Sequence, residues 1–322
     1  MSRKKNSSDV YQIKVRTLVA ILIGVGLVAI VAVFFLRRPL NQPFGQESSP
    51  AQSQLIEFPH VHGLGFSADG TGLYVPAHIG LIVYNDGTWV APDIPKHDYM
   101  GYTAIDDGFF SSGHPDQRTE FPPLLGLVRS EDVGRTITSL AFSGESDFHL
   151  MAAGYYSHVV YVVNSAPNSQ LTQGLFYTLD EGQTWEQSAA QGLESSPIQL
   201  AAHPTEAGTV AVASERGVYI STDYGDMFSL VSDSEPFTAV TFDPKGDRLL
   251  FGYHDLYART MSSGAISPVS IPTLEADDAI FYIAISASTE RMALATADKN
   301  IFLSEDSGES WNQIAAQGRV AS

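Results

Sequence analysis

The chain has 322 residues, of which 44% are hydrophobic and 11% aromatic, with a formal net charge of −18 and no cysteine. This length allows one large domain or two ordinary ones, and the composition supports a buried core. The lack of cysteine excludes disulfides, thiolate metal sites and cysteine nucleophiles. A metal site would therefore need His, Asp, Glu or backbone oxygen ligands.

An apolar segment lies near the N-terminus. Residues 18–36 read LVAILIGVGLVAIVAVFFL, 19 residues without a charge. As a helix this run would be about 28 Å long, which matches the hydrocarbon thickness of a bilayer. Five basic residues precede it and two follow it, which favours a cytoplasmic N-terminus. The alternative is a cleaved signal peptide, but the run is longer than the apolar region of such a peptide and no small-residue cleavage site follows it. We expect residues 1–17 to be a cytoplasmic tail and residues 18–36 a single transmembrane signal anchor in the cell membrane.

The segment after the anchor differs in composition. Residues 37–54 are rich in Pro, Gln and Ser and are predicted to form a flexible linker. Beyond residue 38 the chain has 11 basic and 35 acidic residues, a formal charge of −24. This charge argues against nucleic acid and anionic lipid as ligands. It suits a soluble extracytoplasmic surface that attracts cations.

A sequence motif of the form Ser/Thr-x-Asp-x-Gly-x-Ser/Thr-aromatic, here also called the phrase, recurs after the linker. It is intact as TLDEGQTW and SEDSGESW and nearly intact as SEDVGRTI and STDYGDMF, and YNDGTW and TMSSGAI are degraded copies. Their central positions are 86, 132, 180, 223, 262 and 306. The mean spacing is about 44 residues, so residues 55–322 accommodate six units.

Each unit contains four short apolar or alternating runs separated by Gly, Pro and Asp turns. No helical pattern of useful length follows residue 38. Four strands in every 40 to 50 residues indicate the blades of a β-propeller. We therefore predict an all-β fold, a six-bladed propeller over residues 55–322. The segment 54–58 should pair with the last blade's strands, because an open ring leaves exposed strand edges.

The repeated phrase is predicted to form the turn between the third and fourth strands of a blade. Its aspartate can accept hydrogen bonds from backbone N–H groups, and its glycine can adopt a positive φ. The aromatic residue can pack between blades. These features indicate a structural role for Asp132, Asp180, Asp223 and Asp306.

These phrases match the Asp-box, or BNR, repeat. The chain thus resembles the Asp-box propellers, which include sialidases and sortilin-type receptor domains, and looks most similar to bacterial membrane-anchored propellers catalogued as glycosyl-hydrolase-like. The resemblance covers residues 55–322 and implies the propeller fold. It implies little about chemistry, because one fold supports many functions.

Aligning the units by hand predicts a cluster at one mouth of the channel. His62, Asp98 and His149 share a position at the start of an inner strand, and His78, His114 and His254 share one just after a second strand. The proposed ligand-binding set is His62, His97, Asp98, Tyr99, His114, Asp147 and His149. The proposed metal set is His62, His78, His114, His149 and His254, and it suits Zn²⁺, Cu²⁺ or Fe²⁺. The alternative is that these histidines only hydrogen-bond neighbouring loops.

Enzymatic motifs are weak. A sialidase needs an arginine cluster at the inner strands, and the arginines of this chain do not supply one. Another glycosidase would use two carboxylates about 5–9.5 Å apart, for which Asp98 and Asp147 are the catalytic candidates. Two classes stay open: a module that binds a metal, a glycan or an extracytoplasmic protein, and a glycoside hydrolase-like enzyme that acts on extracellular glycans. We favour the binding module.

Overall fold

The computed structural model describes residues 55–233 and 235–321. The predicted tail, transmembrane segment and linker at 1–17, 18–36 and 37–54 lie outside the described residues. Within the part that is described, every regular element is a β-strand and none of the residues is helical. Accordingly, the described residues include no helix long and apolar enough to cross a membrane.

Six four-stranded antiparallel sheets, here called blades 1 to 6, follow one another along the described residues. Blade 1 contains β2 to β5, at Gly65–Phe66, Gly72–Ala77, Gly80–Asn85 and Thr88–Val90. Blade 2 contains β6 to β9, at Asp98–Ile105, Gly108–His114, Leu127–Ser130 and Thr138–Ala141. Blade 3 contains β10 to β13, at Met151–Ala153, Val160–Asn164, Gly174–Thr178 and Glu186–Gln187.

The second half of the chain repeats this arrangement. Blade 4 contains β14 to β17, at Pro197–Ala202, Val210–Ser214, Gly217–Ser221 and Ser229–Ser232. Blade 5 contains β18 to β21, at Ala239–Phe242, Arg248–Gly252, Leu256–Thr260 and Ile266–Val269. Blade 6 contains β22 to β25, at Ile280–Ile285, Met292–Thr296, Ile301–Ser304 and Asn312–Ala315. The prediction of a six-bladed all-β propeller is confirmed.

The core is divided into layers between neighbouring blades. Each layer buries apolar side chains from the facing sheets of two blades, and together the layers close a ring. In order from the layer between blades 6 and 1, representative pairs are Leu303 and Leu73, Leu81 and Phe109, Phe110 and Val162, Tyr161 and Val212, Val218 and Phe251, and Leu250 and Leu294. The alternation of strand side chains supplies both faces of each blade, so every blade packs on two neighbours.

Ring closure uses the two ends of the described chain. β1 (Leu55–Glu57) pairs antiparallel with β26 (Arg319–Ala321) in a separate two-stranded sheet. The N–H of Phe58 donates to the carbonyl of Gly318 (2.8 Å), and the Phe58 side chain is 1% exposed in the layer between blades 6 and 1. The sequence predicted pairing with the last blade itself. The partner is instead the strand that follows that blade, which leaves the four-stranded pattern intact.

The four best-preserved phrases form one common turn between the third and fourth strands. In each turn the first hydroxyl donates to the aspartate Oδ1, at 3.1, 2.8, 2.6 and 2.8 Å for Ser130, Thr178, Ser221 and Ser304. The same aspartate oxygen accepts the N–H of Thr136, Thr184, Met227 and Ser310, at 2.8, 2.8, 2.9 and 2.8 Å. The glycines have φ of 78°, 92°, 84° and 94°, a region in which a Cβ is strained. The four aspartate carboxylates therefore have a structural role, because their hydrogen bonds hold the turns.

Trp185 and Trp311, which follow two of these turns, and Trp89, which follows the degraded copy at Asp86, contribute to the packing of neighbouring blades. Trp89 of blade 1 donates its Nε1–H to the carbonyl of Ile314 in blade 6 (2.9 Å). Trp311 of blade 6 donates to the carbonyl of Ser270, which follows the last strand of blade 5 (3.0 Å). Trp185 packs in the layer between blades 2 and 3, and its Nε1–H donates to Gly182 within its own turn (3.0 Å). The aromatic positions therefore stabilise the ring across its layers.

Candidate functional site

The first strands of the six blades surround a central channel with a volume of about 210 Å³. Its walls combine apolar side chains with polar ones, which include Thr103, Gln199, Thr238 and Thr241. His62 and His149 lie at the mouth where the chain enters the first strands, here called the entrance mouth. Among the described residues that line the channel, none is an arginine or a lysine.

Three side chains from two blades meet at the entrance mouth. His62 precedes the first strand of blade 1, His78 follows the second strand of that blade, and Asp98 begins the first strand of blade 2. His62 Nε2 lies 3.3 Å from His78 Nδ1, and His78 Nδ1 lies 2.7 Å from Asp98 Oδ2. His62 Nε2 lies 3.7 Å from Asp98 Oδ1. One ligand atom from each residue falls within 4.8 Å of the other two, which is the compactness that a metal site needs.

Burial and neighbouring groups set the protonation of His62 and Asp98. Desolvation lowers the pKa of His62 to about 4, although the nearby Asp98 carboxylate opposes that shift. Burial alone would raise the pKa of Asp98, but the hydrogen bond and charge of His78, with the charges of His62 and His114, hold that pKa below its ordinary value. Near neutral pH the site therefore presents a neutral imidazole and a carboxylate. These are the forms in which both residues bind metals.

His114, Asp147 and His149 form a second group at the same mouth. His149 Nε2 lies 2.8 Å from Asp147 Oδ2, and His114 Nε2 lies 3.6 Å from the same oxygen. Asp147 and His149 precede the first strand of blade 3, and His114 ends the second strand of blade 2. The hydrogen bond to Asp147 raises the pKa of His149 despite burial.

The two groups form one continuous arc. Asp98 and His114 are directly paired across β6 and β7, and His149 interacts electrostatically with both His62 and Asp98. Asp98 Oδ1 and Asp147 Oδ1 are buried and accept no hydrogen bond from the described residues. A buried carboxylate oxygen without a donor is costly, so a further donor or a cation at either oxygen would be favourable.

Two long loops flank this arc. Residues 115–126 connect β7 to β8, and residues 165–173 connect β11 to β12. Asn168 Nδ2 donates to Ser146 Oγ (2.8 Å), and the N–H of Ser169 donates to Glu145 Oε2 (2.8 Å). The N–H of Gly126 donates to the Ser146 carbonyl (3.0 Å). Both loops are thus tied to the segment that carries Asp147, and they wall one side of the mouth.

Two predicted ligand residues have other surroundings. His97 is 1% exposed; its Nδ1 accepts the N–H of Asp116 (3.0 Å), and its ring contacts Phe121. Tyr99 is fully buried in the layer between blades 1 and 2. The structure therefore does not bring these two side chains to the open mouth. His97 supports the loop that ends near Leu127.

The third predicted histidine after a second strand is in another part of the ring. His254 lies in the turn between β19 and β20 of blade 5, where its ring centroid is 4.3 Å from that of Tyr253. It does not belong to the compact group of His62, His78 and Asp98. Nearer to that group is His60, whose ring centroid lies 4.8 Å from that of His78.

The opposite face carries a charged network that the sequence analysis did not single out. His158 Nε2 lies 2.7 Å from Asp106 Oδ1, and His158 Nδ1 lies 3.7 Å from Glu181 Oε1. Arg129 pairs with both Asp107 and Glu181. These residues come from blades 2 and 3, so the network joins those blades. Asp106, Asp107 and His158 have ligand atoms within 4.8 Å of one another, the same compactness as the group at the entrance mouth. Here, however, Arg129 already places a positive charge beside Asp107 and Glu181. The Asp106-Asp107 pair in the β6–β7 turn is the sequence feature that could have indicated this group.

Comparisons with known proteins identify a similar fold but no family. No protein-family model matches the chain, and no curated protein matches it at a significant level. A GH74 enzyme from Niastella koreensis superimposes with a TM-score of 0.55 at 14% identity, over 82% of this chain and 46% of that chain. The GH74 xyloglucanase from Xanthomonas campestris gives 0.51 at 14% identity, over 83% and 46%. YCF48 bound to a D1 peptide gives 0.47 at 16% identity, over 81% and 83%.

The two GH74 likenesses show a β-propeller fold and nothing finer. This chain spans less than half the length of the two GH74 structures. At this level of identity, a shared fold does not indicate which side chains lie at the mouth or what they bind.

Proposed function

We propose that this chain is a membrane-anchored, extracytoplasmic propeller of the Asp-box type that binds a divalent transition-metal ion at its entrance mouth. The ligands are His62, His78 and Asp98, and the ion is Zn²⁺, Cu²⁺ or Fe²⁺. The observation that carries this proposal is the 3.3 Å between His62 Nε2 and His78 Nδ1, with Asp98 beside both. Two nitrogens each about 2.05 Å from a tetrahedral Zn²⁺ lie about 3.3 Å apart.

The electrostatics of the group favour a cation. His62 stays neutral well below pH 7 because its pKa is about 4, so no proton has to leave it at neutral pH. Asp98 Oδ1 is buried without a donor, and a metal ion would satisfy it. Outside the anchor the chain carries a formal charge of −24, which raises the local concentration of cations.

The predicted membrane anchor and the loops beside the mouth are consistent with a binding module. The uncharged run at 18–36 would anchor the chain and place the propeller outside the cytoplasm, where a metal, a glycan or a protein partner is met. The loops at 115–126 and 165–173 give the mouth a shaped rim. A glycan or an extracytoplasmic protein is the partner that we propose for this face.

Metal content tests the proposal directly. The full chain is purified in detergent micelles, equilibrated with Zn²⁺, dialysed and analysed by elemental mass spectrometry. His78→Ala and the double variant His62→Ala/His78→Ala should each hold one ion fewer per chain than the parent. His254→Ala removes a histidine in blade 5 that lies outside both compact groups of possible ligands, and its metal content should equal that of the parent. Equal metal content in the parent and the double variant would refute the proposal.

The second candidate is a glycoside hydrolase-like enzyme. It is favoured by Asp98 and Asp147, two carboxylates from adjacent blades that lie at one mouth with unpaired buried oxygens. The GH74 likenesses agree with it at the level of fold alone. Hydrolysis of xyloglucan or of aryl glycosides by the parent, lost in Asp98→Asn and Asp147→Asn variants that keep their melting temperature, would select this function over metal binding alone.

A further inference from the structure

Asp86 and Gly87 form the tip of the hairpin between β4 and β5 of blade 1. Asn85 and Thr88 are the last paired residues of the two strands, so only Asp86 and Gly87 make the turn. Their φ angles are 48° and 80°, the two positive values that a type I′ turn requires. Both residues are exposed, and a Cβ on Gly87 would meet no atom beyond its chain neighbours within 4 Å. The tip is therefore open to solvent.

An aspartate followed by glycine can isomerise without an enzyme. The main-chain nitrogen of the glycine attacks the side-chain carboxyl carbon, and the carboxyl hydroxyl leaves with the amide proton as water while a five-membered succinimide closes. Water then opens this ring, and attack at the main-chain carbonyl leaves the chain running through the side-chain methylene, as iso-aspartate. The water lost in the first step is regained in the second, and no oxidant or reductant is needed. Glycine favours the attack because it has no Cβ to obstruct it.

The chain contains three Asp-Gly pairs, which begin at Asp69, Asp86 and Asp107. Asp69 Oδ1 accepts the Ser67 hydroxyl (2.6 Å), the Thr71 N–H (3.0 Å) and the Thr71 hydroxyl (2.8 Å). The N–H of Gly70 donates to the Ser67 carbonyl (2.8 Å). Gly70 is also buried, and a Cβ on it would collide with serine side chains between β22 and β23. Both reacting groups of this pair are therefore held.

The pair at Asp107 is held as well. The Asp107 carboxylate forms an ion pair with Arg129 of β8, and a Cβ on Gly108 would overlap the carbonyl oxygen of Ser130. Asp86 differs from both, because its carboxylate makes no hydrogen bond or ion pair with the described residues. Of the three aspartates, only Asp86 therefore combines a free carboxylate with an open glycine.

We propose that Asp86 is a site of spontaneous isomerisation to iso-aspartate, and that the product loosens the seam at which blades 1 and 6 close the ring. The iso-aspartyl linkage adds one carbon to the main chain of a two-residue turn, and loop length sets the pairing of Asn85 with Thr88. Trp89 is the next residue, and its Nε1–H donates to the Ile314 carbonyl of blade 6 (2.9 Å). A displaced β5 therefore moves the side chain that crosses the seam. The inference involves none of the residues proposed to bind a metal.

Ageing of matched proteins tests the site. The full chain in detergent micelles is incubated for weeks at neutral pH and digested, and its peptides are sequenced by electron-transfer fragmentation, which distinguishes iso-aspartate from aspartate. We expect more iso-aspartate at Asp86 than at Asp69 and Asp107 together. In urea no tertiary contact holds any of the three pairs, so they should react at similar rates. Asp86→Glu keeps the charge but would need a six-membered ring, and its total iso-aspartate should fall by more than half.

The outcomes separate the site from its effect on the seam. No iso-aspartate at Asp86 in the folded chain, or as much at Asp69 or Asp107, would overturn the site. For the seam, amide exchange of β1 and β26 is compared between aged and fresh protein. We expect ageing to accelerate this exchange in the parent and to leave it unchanged in Asp86→Glu. Equal exchange in the aged and fresh parent, with iso-aspartate present at Asp86, would overturn the loosening of the seam.

Discussion

The indole nitrogen of Trp89 in blade 1 lies 2.9 Å from the carbonyl oxygen of Ile314 in blade 6. This hydrogen bond crosses the seam at which the ring closes, beside the pairing of β1 with β26. Trp89 is also 4% exposed and packs on Phe58 with ring centroids 5.9 Å apart. A single side chain therefore links the first blade, the last blade and the segment that follows the linker.

Trp89→Phe should weaken the seam. The substitution keeps an aromatic ring but leaves the partly buried Ile314 carbonyl without its donor, which costs up to about 1–3 kcal/mol. Urea denaturation should show a lower free energy of unfolding, and amide exchange of β1 and β26 should accelerate. Trp185→Phe is the matched control, because Trp185 bonds within its own turn. Equal protection of β1 and β26 in the two variants would contradict this role of Trp89.

Zinc should stabilise the folded protein. A ligand at 100 times its dissociation constant adds about 2.7 kcal/mol to the free energy of unfolding. For a domain of this size each kcal/mol shifts the melting temperature by about 2–4 °C. Differential scanning fluorimetry with Zn²⁺ should show this rise in the parent and in His254→Ala, and a smaller rise in His62→Ala/His78→Ala. A parent melting temperature that does not respond to zinc would contradict the metal proposal.

The turn aspartates should make stability fall in acid. Hydrogen bonds from the Ser310 hydroxyl, the Ser310 N–H and the Ser304 hydroxyl, in that order of size, lower the pKa of Asp306 to about 2. The value in an unfolded chain is about 3.9. A carboxyl with a depressed native pKa stabilises the fold fully above the unfolded value and loses that contribution as the pH falls through the native value. Stability should therefore decline between about pH 4 and pH 2.

Asp306→Asn provides the comparison for this pH dependence. Its free energy of unfolding should depend less steeply on pH between about 4 and 2, because one titrating group with a depressed pKa is gone. The measurement is urea unfolding followed by tryptophan fluorescence at several pH values. An identical slope in the parent and the variant would show that the Asp306 carboxylate does not couple to folding.

Gly101→Ala should destabilise the contact between blades 2 and 3. A Cβ on Gly101, in the first strand of blade 2, would overlap the carbonyl oxygen of Phe148 and crowd the Met151 sulfur. The backbone of Phe148 cannot yield as a side chain would, so we expect a loss of about 1–3 kcal/mol. Gly72→Ala is the control, since its Cβ would meet only the movable Tyr74 ring and the Ser67 and Val83 side chains. Equal stability of the two variants would contradict a close approach at Gly101.

Much of the architecture follows from local pattern. The spacing of the four preserved motifs and of the degraded copies at 86 and 262 predicted six blades. The motif recurs because each turn needs a hydrogen-bond acceptor and a residue of positive φ at set positions, and those needs are local. The strands of blade 4 occur where the apolar runs and the Gly and Pro turns place them. The ring then follows, because each blade has two apolar faces to bury.

The seam was only partly predictable. That segment 54–58 must cover an edge follows from the cost of unpaired strand groups. Which strand it pairs with depends on the tertiary path of the last residues, and Arg319–Ala321 turns back beyond blade 6 to supply the partner.

Local pattern thus determined the turns, the strands and the number of blades, and it also located histidines at the starts and ends of inner strands. Tertiary structure alone decided which of them share a site. It joined His62 and His78 to Asp98 and joined His114 and His149 to Asp147. It left His254 in blade 5 and buried His97 and Tyr99. The physical reason is that contacts across blades depend on ring geometry and loop course, which are set by packing between segments far apart in the chain.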